Sequence, residues 1–203
     1  MLAISYKSLV WLIYHLLATF TFGIPLVLMF WSSFKNESTI YRHLSIYFKV
    51  SGLLAVSILL LIGNQTIGYL TSFLSAILIV SSLWFWVDLN EEINEMPLSR
   101  PIALTFRAWR WGLTMLGISY GVILSKSLYC LKISNLQSCS ILREGPLNLH
   151  EFTGVIFRFL FGGEWTHALA GFIGYLTLFI YFIGFTQWLI IKLPRQGRIA
   201  GGF

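Results

Sequence analysis

Asp88, Glu91, Glu92 and Glu95 make up four of the eight acidic residues in this chain of 203. On a helix running from Trp84 and Trp86 on to Met96 they would fall at i, i+3, i+4 and i+7, one stripe of carboxylates. Leu89, Ile93 and Met96 form an apolar stripe beside it. Arg100, Arg107 and Arg110 follow, the last two interleaved with Trp109 and Trp111. Two chemistries use such a set. Carboxylates on one face offer hard oxygen ligands to a divalent cation, and nearby arginines would then grip a diphosphate or lipid phosphate. The other is mutual pairing. The acidic stripe ends a helix, where the macrodipole disfavours anions, and the arginines open the next, where it disfavours cations. Facing each other across Pro97 and Pro101, the two sets relieve both misplacements and form an ion-paired corner. No second acidic cluster accompanies the first, as a diphosphate-handling membrane enzyme would want.

Histidine and cysteine are the remaining reactive types. His15 and His167 fall within apolar runs, where an imidazole is either an interhelical hydrogen-bonding group or an axial ligand of haem or pigment. His43 and His150 fall in polar stretches and read as solvated. Cys130 and Cys139 form either a disulfide or two free thiols, and no Cys/His group has zinc-site spacing. Nucleophile-elbow, phosphate-loop, dinucleotide-binding and Glu-x-x-His patterns are absent. Catalysis therefore has no recognisable motif, and no cofactor follows from the residues.

The elements that must carry these groups are membrane helices. Hydrophobic residues are 57% and charged residues 11%, and the mean hydropathy is +0.76, far from a soluble domain. The +6 net charge is scattered between apolar runs, which suits orientation in a bilayer rather than nucleic-acid binding. Spans are expected at 9–34, 44–62, 69–87, 109–129 and 167–191, each near the length a bilayer requires. Gly23-Ile-Pro25 predicts a kink in the first span, and Gly63 to Gly68 the turn of a hairpin. Residues 35–49 read as a polar connection, 88–101 as the acidic corner and 130–166 as a loop. Within that loop, Asn148 with Glu151 reads as a helix start. Phe152, Val155, Ile156, Phe159 and Leu160 then form the stripe of a short interfacial helix stopped by Gly162-Gly163.

Five spans put the termini on opposite sides. Nine basic residues lie on the side of the corner and the C-terminal tail, against five on the other. The N-terminus is thus expected outside and the C-terminus in the cytoplasm. All eight tryptophans fall near expected span ends, where an indole prefers the headgroups. Gly117 and Gly121 form a small-xxx-small pair for close helix approach.

The run Ser82 to Ile93, with its Trp-Phe-Trp-Val-Asp-Leu-Asn-Glu-Glu core, and Phe106 to Trp111 carry a resemblance. Leu193 to Arg198 adds a weaker match. The chain resembles a family of uncharacterised integral membrane proteins of similar length from cyanobacteria. That resemblance implies a thylakoid or plasma membrane and brings no reaction with it. The expectation is an all-helical, five-span bundle in the lipid bilayer that associates with other membrane protein subunits and does not bind nucleic acid. Its role is expected to be a non-enzymatic accessory, assembly or scaffold function in a photosynthetic or related complex. The alternative is a divalent-metal-dependent enzyme acting on a lipid or prenyl phosphate.

Overall fold

A computed structural model of the chain describes residues 12, 14–97, 99–131 and 137–192. Lys7, Trp11, Lys132, Arg195 and Arg198, which entered the topology reading, lie outside them. Every regular element among the described residues is helical. In chain order these are α1 (Tyr14–Phe34), α2 (Ser38–Ile62), α3 (Ile67–Phe85), α4 (Val87–Glu95), α5 (Pro101–Ser127), α6 (Gln137–Phe161) and α7 (His167–Gln187). A 3₁₀ turn at Leu128–Leu131 follows α5, and a π turn at Trp188–Lys192 extends α7. Four helices, α1, α2, α3 and extended α7, are long and apolar enough to cross a membrane. The chain is a membrane protein by that measure.

α2 is the central helix, with buried residues along its whole length from Thr39 to Ile62. Leu44, Tyr47 and Leu54 pack in one core with Leu28 of α1, Leu83 of α3, Ile93 of α4 and Phe106 and Leu113 of α5. Small residues set the closest approaches. A Cβ on Gly63 would sit 2.3 Å from Gly171 Cα, so α7 meets the end of α2 at near-backbone distance, and one on Gly117 would sit 2.5 Å from Val80 Cγ2, so a side chain of α3 packs onto the backbone of α5. Gly121, the other half of the expected glycine pair, has open space beside it. α7 is peripheral: Ala170, Gly171 and Gly174 are its buried residues, while Phe172, Phe179 and Phe182 face outward.

Two prolines within helices are each answered by an aromatic donor from another helix. Pro25 has no N–H, so the carbonyls of the turn before it lose their usual partner, and residues Thr19–Gly23 relax into a π turn. Tyr47 Oη donates to Thr21 O at 2.9 Å and Trp109 Nε1 donates to Phe20 O at 2.7 Å. In α6, Pro146 leaves the Leu142 carbonyl without its i+4 donor, and the Tyr14 hydroxyl supplies one. Gly145 makes that approach feasible, since a Cβ there would meet Tyr14 Cγ at 2.8 Å.

Several expectations need correction. The stretch 35–49 is not a polar connection: α2 begins at Ser38, and the turn is short, with Asn36 at φ 54°. Arg42 and Lys49 lie on the helix, and Arg42 reaches Glu92 of α4. α3 does not continue through the acidic stretch, because Trp86 is extended at φ −85°, ψ 104° and α4 starts afresh. α5 begins at Pro101 rather than near 109, proline being well suited to a first helical position. The segment 130–166 is chiefly α6, a helix of 25 residues, so Asn148 is mid-helix rather than a cap. Gly162, at φ 68°, does end it. Trp86 and Trp109 are each 2% exposed, core residues rather than headgroup anchors.

Candidate functional site

The bundle has two chemically distinct ends. One gathers the charged corner: Arg100 Nη1 lies 2.9 Å from Glu37 Oε1, Arg42 Nη2 lies 3.4 Å from Glu92 Oε2, and Trp86 meets Trp188 edge-on at 5.9 Å. The other gathers the Ile62–Ile67 turn, the start of α7 and the Cys130–Cys139 disulfide. Tyr69 of α3 donates to the Cys139 carbonyl at 3.1 Å, tying the disulfide to the bundle.

At the corner, α4 buries the expected apolar stripe. Leu89 and Ile93 are fully buried, and Met96 packs against the core. The carboxylates divide. Glu92 faces α2, where its Oε2 accepts from Thr39 Oγ1 at 2.7 Å and from Arg42. Asp88 is half-buried, and Glu91 and Glu95 point outward, exposed.

The arginines take other partners than a facing row of acids. Arg107 Nη2 converges on the carbonyls of Ile93 (2.5 Å), Asn94 (3.0 Å) and Met96 (2.8 Å). It therefore caps α4, whose last carbonyls have no intrahelical donor and carry the negative end of the dipole. Arg110 is 3% exposed; its Nη1 donates to Asn90 Oδ1 at 2.5 Å and its guanidinium lies 4.3 Å from the Trp84 ring centroid. Asn90 in turn donates to Trp84 O at 3.2 Å, and Trp84 Nε1 donates to Thr114 Oγ1 at 3.0 Å. This network spans the break at Trp86 and fixes α4 against α5. Arg100 reaches Glu37, a residue not anticipated as a partner. The corner exists, but helix capping, an amide and the carboxylate of Glu37 hold Arg107, Arg110 and Arg100, respectively. Thr39, Asn90 and Glu37 are its unforeseen members, because their proximity to Glu92, Arg110 and Arg100 depends on how α2, α4 and α5 pack together. Among the described residues no group of three or more His, Cys, Asp or Glu has metal-binding geometry.

The histidines sort into three places. His15, on α1, lines a cavity. His167 opens α7 with Nδ1 3.0 Å from Ile62 O and stacks on His150, ring centroids 4.3 Å apart. His150 is thus part of the α6–α7 junction and not a solvated loop residue. Burial, with His167 opposite, holds its imidazole below the ordinary value. His43 is 1% exposed and meets Phe106 edge-on at 5.2 Å, again contrary to a solvated loop. His15 and His167 therefore serve separate sites.

Comparisons with curated proteins and with solved structures return no match. The model of the family described as "Protein of unknown function (DUF3177)" matches residues 7–201, and the chain belongs to that family.

Proposed function

We propose that this chain is a non-enzymatic accessory, assembly or scaffold protein of a membrane complex. It crosses the bilayer five times, with its N-terminus outside and its C-terminus in the cytoplasm. The fifth span is α5. At about 1.5 Å per residue, its 27 residues are ample to cross, and its buried Arg110 and half-buried Arg107 already have partners. The disulfide end is then the outer face, where a disulfide persists, and the basic residues of the corner satisfy the positive-inside rule. α6 lies in the outer interface, its stripe of Val155, Ile156, Phe159 and Leu160 exposed for lipid. The resemblance carried by the Ser82–Ile93 run implies a cyanobacterial thylakoid or plasma membrane.

The observation that carries the reading is the construction of the corner. Arg107, Arg110, Asn90 and Glu92 are spent on holding α4 rigid, and what the helix then offers outward is Glu91 and Glu95. A preorganised acidic pair at a bundle end suits a basic patch on a partner subunit. The metal-enzyme alternative needs Glu92 as a ligand, and that carboxylate is engaged by Thr39 and Arg42. The test is affinity purification from native membranes of the wild type and of Glu91→Lys with Glu95→Lys. The variant is expected to accumulate normally and to lose co-purifying subunits. Adding Arg107→Glu and Arg110→Glu should destabilise it rather than rescue it. An unchanged set of partners in the double variant would refute the surface.

A further inference from the structure

The two parts of α6 are held differently. Up to Pro146 it is fixed to the bundle by the Cys130–Cys139 disulfide, the Tyr69 hydroxyl on the Cys139 carbonyl and the Tyr14 hydroxyl on the Leu142 carbonyl. Residues 147–161 lie between two breaks in regular helix, Gly145-Pro146 before them and Gly162-Gly163 after. This segment meets the start of α7 through His150, whose ring lies 4.3 Å from that of His167 with 16° between their planes. Phe157 packs on Trp165 of the connection at 5.0 Å.

The imidazole pair suits one protonation state. His167 is pinned to the bundle, its Nδ1 donating to Ile62 O at 3.0 Å. Nε2 of His150 is buried and has no hydrogen-bond partner. In the neutral ring that atom is a lone pair. In the cation it becomes a charged N–H donor with nothing to accept it, which is the more costly of the two. The charge would also lie against a parallel imidazole with no room for water between them. Burial and His167 oppose the cation, and the Trp165 backbone and the Glu151 carboxylate favour it without prevailing. Of the other charged groups nearby, Arg143 lies by Tyr69 of α3, and Glu164 of the connection is exposed. Residues 62–68, the turn to which His167 is pinned, contain no titratable side chain.

We propose that the His150–His167 stack is a pH-operated latch, closed at neutral pH, and that a proton on His150 releases residues 147–161 from α7 about the Gly145-Pro146 joint. The freed imidazolium reaches water, where both its N–H groups find acceptors, while the disulfide and Tyr14 keep the base of the segment in place. The latch reads the pH of the compartment at the disulfide end. That this compartment is the outer one rests on the topology proposed above; the latch itself does not. An open-form ring with the ordinary pKa of about 6.5 favours opening by up to roughly 30-fold between pH 7.5 and 5, the full factor applying if the closed form binds no proton.

The experiment is a spin-label distance measurement on the full-length protein in lipid nanodiscs, with labels on Arg158→Cys and Thr66→Cys, two exposed positions. The native cysteines are bridged and take no label. One distance is expected at pH 7.5. At pH 5 a second, longer distance should appear, its ratio to the first raised at least fivefold, and it should vanish when the pH is restored. His150→Phe keeps an aromatic ring in the stack but takes no proton, and should hold the short distance at both pH values. Should that variant fail to fold, His150→Gln, equally unable to titrate in this range, gives the same comparison. Identical distances at pH 7.5 and 5 in the wild type, or the same pH response without His150, would overturn the latch.

Discussion

Replacing Tyr47 by phenylalanine removes one hydroxyl from a fully buried side chain and leaves the Thr21 carbonyl without the donor now 2.9 Å away. No backbone donor takes over in the α-helical register, because residue 25 is proline. A buried carbonyl left unpaired costs about 1–3 kcal/mol. Interhelical hydrogen bonds in membranes average roughly 0.6 and reach about 1.7 kcal/mol, since the unfolded segment finds other partners. The expected loss is therefore about 1–2 kcal/mol, or a fall in Tm of roughly 2–8 °C for a chain of this size. Pro25→Ala supplies an N–H to the same carbonyl. In that background Tyr47→Phe should cost less than about 0.5 kcal/mol, a coupling large enough for a double-mutant cycle. The assay is reversible unfolding of the four proteins in mixed micelles. An equal cost of Tyr47→Phe in both backgrounds would refute the idea that the tyrosine replaces the donor that proline lacks.

Arg107→Met should strip the cap from α4 and raise hydrogen exchange across residues 87–95, with the spans protected as before; unchanged exchange there would exclude the capping role. His150, whose pKa is lowered in the fold, binds its proton less tightly folded than unfolded. The α6–α7 junction should accordingly lose stability as pH falls below about 6.5, and show no such loss in His150→Phe; thermal unfolding between pH 7.5 and 5 decides. Reduction of the Cys130–Cys139 disulfide, which closes a loop with a sequence separation of 9, should cost about 2–3 kcal/mol, measured by unfolding with and without reductant. An impermeant thiol reagent applied outside should label cysteine at Gly154 or Arg158 but not one added after Phe203; labelling of all three would require an even number of spans.

Membrane class, the apolar runs, a helix irregularity before Pro25, the turn at Gly63–Gly68 and the stop at Gly162 were legible in the chain itself, because each follows from local rules. Long uncharged runs can be satisfied in lipid only as helices, proline deletes a donor wherever it stands, and a left-handed residue ends a helix regardless of its neighbours. The importance of the Trp84–Arg110 stretch was legible too, from charge placed against the helix dipole. Its partners were not. Whether Arg107 meets carboxylates or carbonyls depends on the extended residue at Trp86, which re-aims α4, and on α2 arriving with Arg42 and Thr39 to take Glu92. The length of α6 was hidden for a related reason: Gly145-Pro146 forbids a helix on local grounds, and only the hydroxyl of Tyr14, 128 residues away in sequence, provides the hydrogen bond that makes it tolerable. Spacing along one chain records which groups lack partners, but the partners come from other helices, and packing alone selects them.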